Sequence, residues 1–169
     1  MRMSDGLLTP CRVDDDRWSE LSFDVRRLCT MAVKTAFATA GQIPHGEVSI
    51  LLTNDALMSA LNSKYRGKKK ATNVLSFPAV LKDQGYIGEN QPRLWGDVAV
   101  SIDRVTLEAK HQGKSVRDHT AHLMVHGTLH LLGFDHQEVL ETGVMEQLEI
   151  LSLAQLGVDD PYLATERSV

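Results

Sequence analysis

Apolar residues recur every three or four positions from Leu21 to Ala40, at Leu21, Val25, Leu28, Ala32, Ala36 and Ala40. That spacing predicts a helix, and Gly41 stops it. The run Glu47 to Thr53 (EVSILLT) is rich in β-formers and predicts a buried strand. Asn54 or Asp55 then offers a cap for a short helix through Asn62, with Ala56, Leu57, Ala60 and Leu61 facing inward. Two further strands are expected, from Asn73 to Phe77, where Pro78 ends the run, and from Asp97 to Ser101. Residues 9–13 form a weaker candidate. Gly, Asn, Gln and Pro mark residues 82–93 as an exposed loop. Three helices, at about 103–112, 116–132 and 138–156, close the pattern, and the tail 159–169 is expected to fray. The sum is an α/β (α+β) fold, with a small mixed sheet of about four strands packed with about five helices. No repeat or low-complexity linker divides it, so residues 1–169 read as one domain.

Composition narrows the class. A chain of 169 residues with 43% hydrophobic content can bury an ordinary globular core. No stretch approaches the roughly 18 consecutive apolar residues of a membrane span, and the N-terminus MRMSDGLLTPCRV has no apolar core of a secretory signal. Cys11 and Cys29 are too few for a disulfide framework or a Cys-rich zinc site and read as reduced thiols of a cytoplasmic protein. The net charge of −4 argues against coating of nucleic acid by bulk charge. Yet Lys64, Arg66, Lys68, Lys69 and Lys70 place five positive charges in seven residues, leaving −9 on the rest. Such a patch is either a solvated loop or a dock for one anionic segment.

Histidine changes the picture most. Six of seven histidines fall between His111 and His136, where even scatter would place about one. His119, His122, His126 and His130 lie within about an 80° arc of one helix face. His126 and His130, one turn apart, can aim imidazole nitrogens at one ion. Gly133 can leave the helix by a left-handed turn, and His136 can return as a third ligand. Three neutral imidazoles leave a coordination position for water or substrate, as in catalytic zinc sites, although imidazole also suits Ni, Cu, Fe and Co. The spacing matches the long zincin pattern H-E-x-x-H-x-x-G-x-x-H except that Gly127 stands where that pattern has its general-base Glu. A protease needs that carboxylate, so peptide hydrolysis ranks second among the readings.

The run HGTLHLLGFDH, His126 to His136, resembles the signature of the YbeY family, bacterial endoribonucleases of ribosomal RNA maturation. The likeness continues upstream in LNSKYRGKKKATNVLSFP (Leu61 to Pro78) and WGDVAVS (Trp95 to Ser101), and downstream in MEQLEILSLAQLG (Met145 to Gly157). It departs from the usual block at Lys69, where an acid is common, and at Ala71, where a proline is common. The resemblance implies one Zn²⁺ per chain held by His126, His130 and His136, and cleavage of single-stranded RNA. It also implies cytoplasmic work at the 3′ end of 16S rRNA and in quality control of the small ribosomal subunit, with that subunit and its proteins as partners and neither membrane nor DNA. Arg66 takes the place of the family's functional arginine and, with His126, is the expected catalytic pair. Lys64, Lys68 and Lys70 are expected to contact RNA phosphates. A non-catalytic ribosome-assembly factor with structural zinc is the third reading.

Other polar residues carry open roles. Asp135 can orient a ligand imidazole or cap the turn. His119 and His122 are expected to be structural or to touch substrate. Asp97 is a candidate general base or a turn residue, and Glu146 and Glu149 can bond a histidine or face solvent. Trp18 and Trp95 are too scattered for a base-stacking platform.

Overall fold

The computed structural model describes residues 6–67, 70–79, 93–135 and 137–163. Five strands form one mixed sheet: β1 (Leu7–Leu8), β2 (Cys11–Val13), β3 (Gly46–Thr53), β4 (Val74–Pro78) and β5 (Leu94–Ser101). The order is β1-β3-β5-β4, with β2 also on β3. β1, β2 and β5 all run parallel to β3, and β4 closes the far edge antiparallel to β5. The strand expected at 9–13 is β2, and Leu7–Leu8 ahead of it adds a short strand that was not expected, which makes five strands from the anticipated four.

Period-two alternation sets the two faces of the sheet. Val48, Ile50, Leu52, Val98 and Val100 join the main core with α1 (Val25–Thr39), α4 (Val116–Leu131) and α5 (Val139–Gln155). On the opposite face Leu75 and Ala99 pack with Met58, Leu51 and Leu61 under α2 (Asp55–Arg66). α3 (Ile102–Gln112) follows β5 directly and contributes Ile102, Val105 and Ala109 to the buried set.

Four boundaries differ from the pattern-based expectation, each for a local reason. α1 begins at Val25, not Leu21, because the Asp24 side chain accepts from the Arg27 N–H and caps it there. Ahead of it, Asp16–Glu20 winds as a 3₁₀ turn that buries Trp18 completely, its indole Nε1 donating to Thr53 O at 2.8 Å. α2 runs past Asn62 to Arg66, where Gly67 at φ 66° supplies a left-handed cap. β5 starts at Leu94 because it pairs with β3 from Glu47 onward. The tail, expected to fray from 159, is packed as far as Tyr162, whose N–H donates to Asp160 Oδ1 at 2.8 Å and whose hydroxyl bonds α5. The loop expected at 82–93 lies outside the described residues up to 92.

Candidate metal centre

α4 starts where the Ser115 hydroxyl accepts from the Asp118 N–H, and it then crosses the sheet next to β4 and β5. Its contact with the sheet is close at Gly127. A β-carbon there would stand 2.7 Å from Val98 Cγ1, 3.0 Å from Ser76 Oγ and 3.2 Å from Val74 Cγ2. Position 127 therefore faces the sheet, and His126 and His130 lie on a different side of the helix.

Those two histidines meet. Their Nε2 atoms are 3.1 Å apart, with ring centroids at 4.6 Å and planes at 79°. His126 Nδ1 donates to Glu149 Oε1 on α5 at 2.6 Å, which leaves the Nε2 lone pair pointing at His130. Two imidazole nitrogens each about 2.0–2.1 Å from one tetrahedral ion stand about 3.3 Å apart, so this pair fits a shared cation. A carboxylate behind the ligand histidine is the usual outer support of such a site.

Glu149 is the hub of the arrangement. It is 1% exposed; Oε1 also lies 3.4 Å from His122 Nε2, and Oε2 accepts from the Tyr162 hydroxyl. Burial alone would raise its carboxyl, but hydrogen bonds with His122, His126 and Tyr162 together outweigh it and bring the pKa down to about 2. His119, 3% exposed, pairs Nε2 with Glu108 Oε1 at 2.9 Å, and Asn73 donates to the same carboxylate at 3.0 Å. Burial lowers the His119 pKa and the hydrogen bond with Glu108 opposes the shift. A cleft of about 700 Å³ opens beside His126, lined also by His111, Lys114, His119, His122 and Tyr162.

Among the described residues of the basic segment, Arg66 is tied to α4 through Ser76 but lines a cavity on the other face of the sheet, not the cleft beside His126. Arg66 Nη2 donates to Ser76 O at 3.1 Å, and Ser76 Oγ donates to Gly127 O at 2.8 Å, the residue after His126. Lys64 stands 5.2 Å from the ring centroid of its neighbour Tyr65. The Lys70 carbonyl accepts from Asn62 Nδ2 at 2.7 Å, which ties Lys70 to α2. Asp97, weighed as a general base, is on the other face of the sheet. It neighbours Val98, which touches Gly127, and it shares a cavity of about 840 Å³ with Ser49, Phe77 and Arg66. Partial burial there raises its pKa, opposed by a hydrogen bond with Ser49. His136 and Lys68 lie outside the described residues, and among the described residues no three ligating side chains are placed to hold one ion.

A profile of the family described as Endoribonuclease YbeY matches residues 12–157. The chain belongs to the YbeY endoribonuclease family. An Endoribonuclease YbeY of Azorhizobium caulinodans is 46% identical over 152 residues, covering 89% of this chain and 92% of that protein. One of Xanthomonas oryzae pv. oryzae is 49% identical over 127 residues, covering 75% and 78%. The fold is similar to the solution structure of TM1509 from Thermotoga maritima, with a TM-score of 0.55 at 18% identity, over 89% of this chain and 92% of that one.

Within the YbeY match the signature places His126 and His130 together, as the spacing predicts. Two supporting residues escaped it. Glu108 carried no motif, while Tyr162 fell in the tail expected to fray. Glu149, weighed as a histidine partner or a solvent-facing acid, is the partner: it sits on the buried stripe of α5 with Met145, Ser152 and Leu153, where an acid needs partners.

Proposed function

We propose that this chain is a zinc-dependent endoribonuclease specific for single-stranded RNA. The observation that carries the reading is the facing Nε2 pair of His126 and His130, with His126 backed by Glu149, in a member of this family. His126, His130 and His136 would hold the ion. Zinc there supplies Lewis acidity toward a phosphoryl oxygen and a lowered pKa to water. Arg66, which donates one Nη2–H to Ser76 O, would offer the rest of its fork to the scissile phosphate and stabilise the charge that grows on it. Lys64, Lys68 and Lys70 position flanking phosphates. The cleft beside His126 offers room for an unpaired strand along the histidine face.

The substrate proposed is ribosomal RNA at the 3′ end of 16S, within maturation and quality control of the small subunit, in the cytoplasm. No helix among the described residues is long and apolar enough to cross a membrane. Peptide hydrolysis is disfavoured because position 127 is filled by Val98, Ser76 and Val74 and has no room for a carboxylate. A structural zinc in a non-catalytic assembly factor is disfavoured by the open cleft at His126.

Incubation of metal-quantified protein with single-stranded RNA and with casein tests the proposal. Metal-dependent RNA cleavage without casein cleavage is expected, and the end groups distinguish attack by water from attack by the 2′-OH, which leaves a 2′,3′-cyclic phosphate. Casein cleavage that disappears in His126→Ala, with RNA left intact, would reverse the ranking.

A further inference from the structure

We infer that Tyr162 and Glu149 are positioning residues that fix the tautomer of His126, through a relay running from the C-terminal segment to the metal centre. The inference rests on the zinc reading above for its purpose, but its geometry stands on hydrogen bonds in this chain. An imidazole presents a lone pair at Nε2 only when its proton sits on Nδ1. Glu149 Oε1, 2.6 Å from His126 Nδ1, accepts that proton's hydrogen bond and so selects the tautomer. A carboxylate can serve this way only if its own orientation is fixed. Oε2 is fixed by the Tyr162 hydroxyl, which can donate and thereby leaves Oε1 to the histidines.

Contacts among the described residues also place Tyr162. Its N–H bonds Asp160 Oδ1 at 2.8 Å, which turns the chain after α5, and its ring stands edge-on to His122 with centroids 5.9 Å apart. The relay's outer member thus comes from the turn that follows α5. Tyr162 also lines the cleft with His122 and His126, so closing the relay shapes one wall of that cleft.

The test uses the full chain and two variants, Tyr162→Phe and Glu149→Gln. Nitrogen-15 NMR of the metal-free proteins reads the His126 tautomer, and chelator competition with zinc alone reads affinity. Wild type should hold the proton on Nδ1, and both variants should give mixed tautomers. Zinc affinity should fall about tenfold in Tyr162→Phe and about a hundredfold in Glu149→Gln, the range for outer partners of metal ligands. Tyr162→Phe keeps the ring and its packing, so it remains informative if Glu149→Gln fails to fold. A Tyr162→Phe protein with unchanged tautomer and unchanged zinc affinity overturns the inference, whatever happens to its melting temperature. If wild type binds no zinc, the metal reading fails while the NMR arm still decides the relay.

Discussion

Replacing Gly127 by alanine sets two effects of known size against each other. Alanine favours a helix interior over glycine by about 0.8–1 kcal/mol. Against that, the new methyl would stand 2.7 Å from Val98 Cγ1, where carbon atoms normally rest about 3.5–4.0 Å apart. Val98 cannot easily yield: it is fully buried in β5, and its β-branched side chain is stiff at χ1. α4 must therefore move off the sheet, at an overpacking cost of about 1–3 kcal/mol, and the Ser76–Gly127 hydrogen bond weakens with it. The net expectation is a loss of about 1–2 kcal/mol, read as a lower urea midpoint at unchanged slope. Gly143 on α5 is the matched control, since a β-carbon there meets nothing within 4 Å. Gly143→Ala should gain up to about 1 kcal/mol. A Gly127→Ala protein as stable as Gly143→Ala would refute the close helix–sheet contact, and with it the explanation for glycine at this position.

Two further outcomes follow from the site. Arg66→Lys should lower single-turnover cleavage about 10²–10³-fold and Arg66→Ala no less, because only the planar fork bonds two phosphoryl oxygens, whereas Lys70→Ala should weaken RNA binding modestly and flatten its salt dependence by about one contact; equal, small effects at both positions would remove any special role for Arg66. Glu149, held at about 2 against an ordinary 4.5, contributes stability that is fully present above pH 4.5 and is lost as pH falls toward 2. Urea melts of metal-free protein across that window should show the loss in wild type and a shallower one in Glu149→Gln; parallel curves would contradict the assignment.

The fold was legible where periodicity and caps agree. β3 and α4 follow their apolar runs, and Ser115 caps α4 by a side-chain hydrogen bond. Leu21 misled because its spacing continues the α1 stripe, while Asp24 caps the helix one turn later. Arg66 looked like the head of a loop because nothing in the pattern showed that Gly67 would end the helix there. At the site, the i, i+4 spacing of His126 and His130 is a local property and survives folding, so the pair could be read directly. The Glu149 and Tyr162 contacts depend on how α5 and the turn after it dock, which no local spacing encodes. Asp97 shows the same limit: its strand was expected, but the face it occupies is set by the register of β5 against β3 and β4.

Titration of metal-free protein with zinc, while cleavage of a single-stranded RNA is followed, tests the central claim most directly. Cleavage should rise with added zinc and saturate at about one equivalent per chain, and His130→Ala should neither retain the ion nor regain cleavage. Undiminished cleavage in metal-free wild type, or stoichiometric zinc with full activity in His130→Ala, would contradict the account.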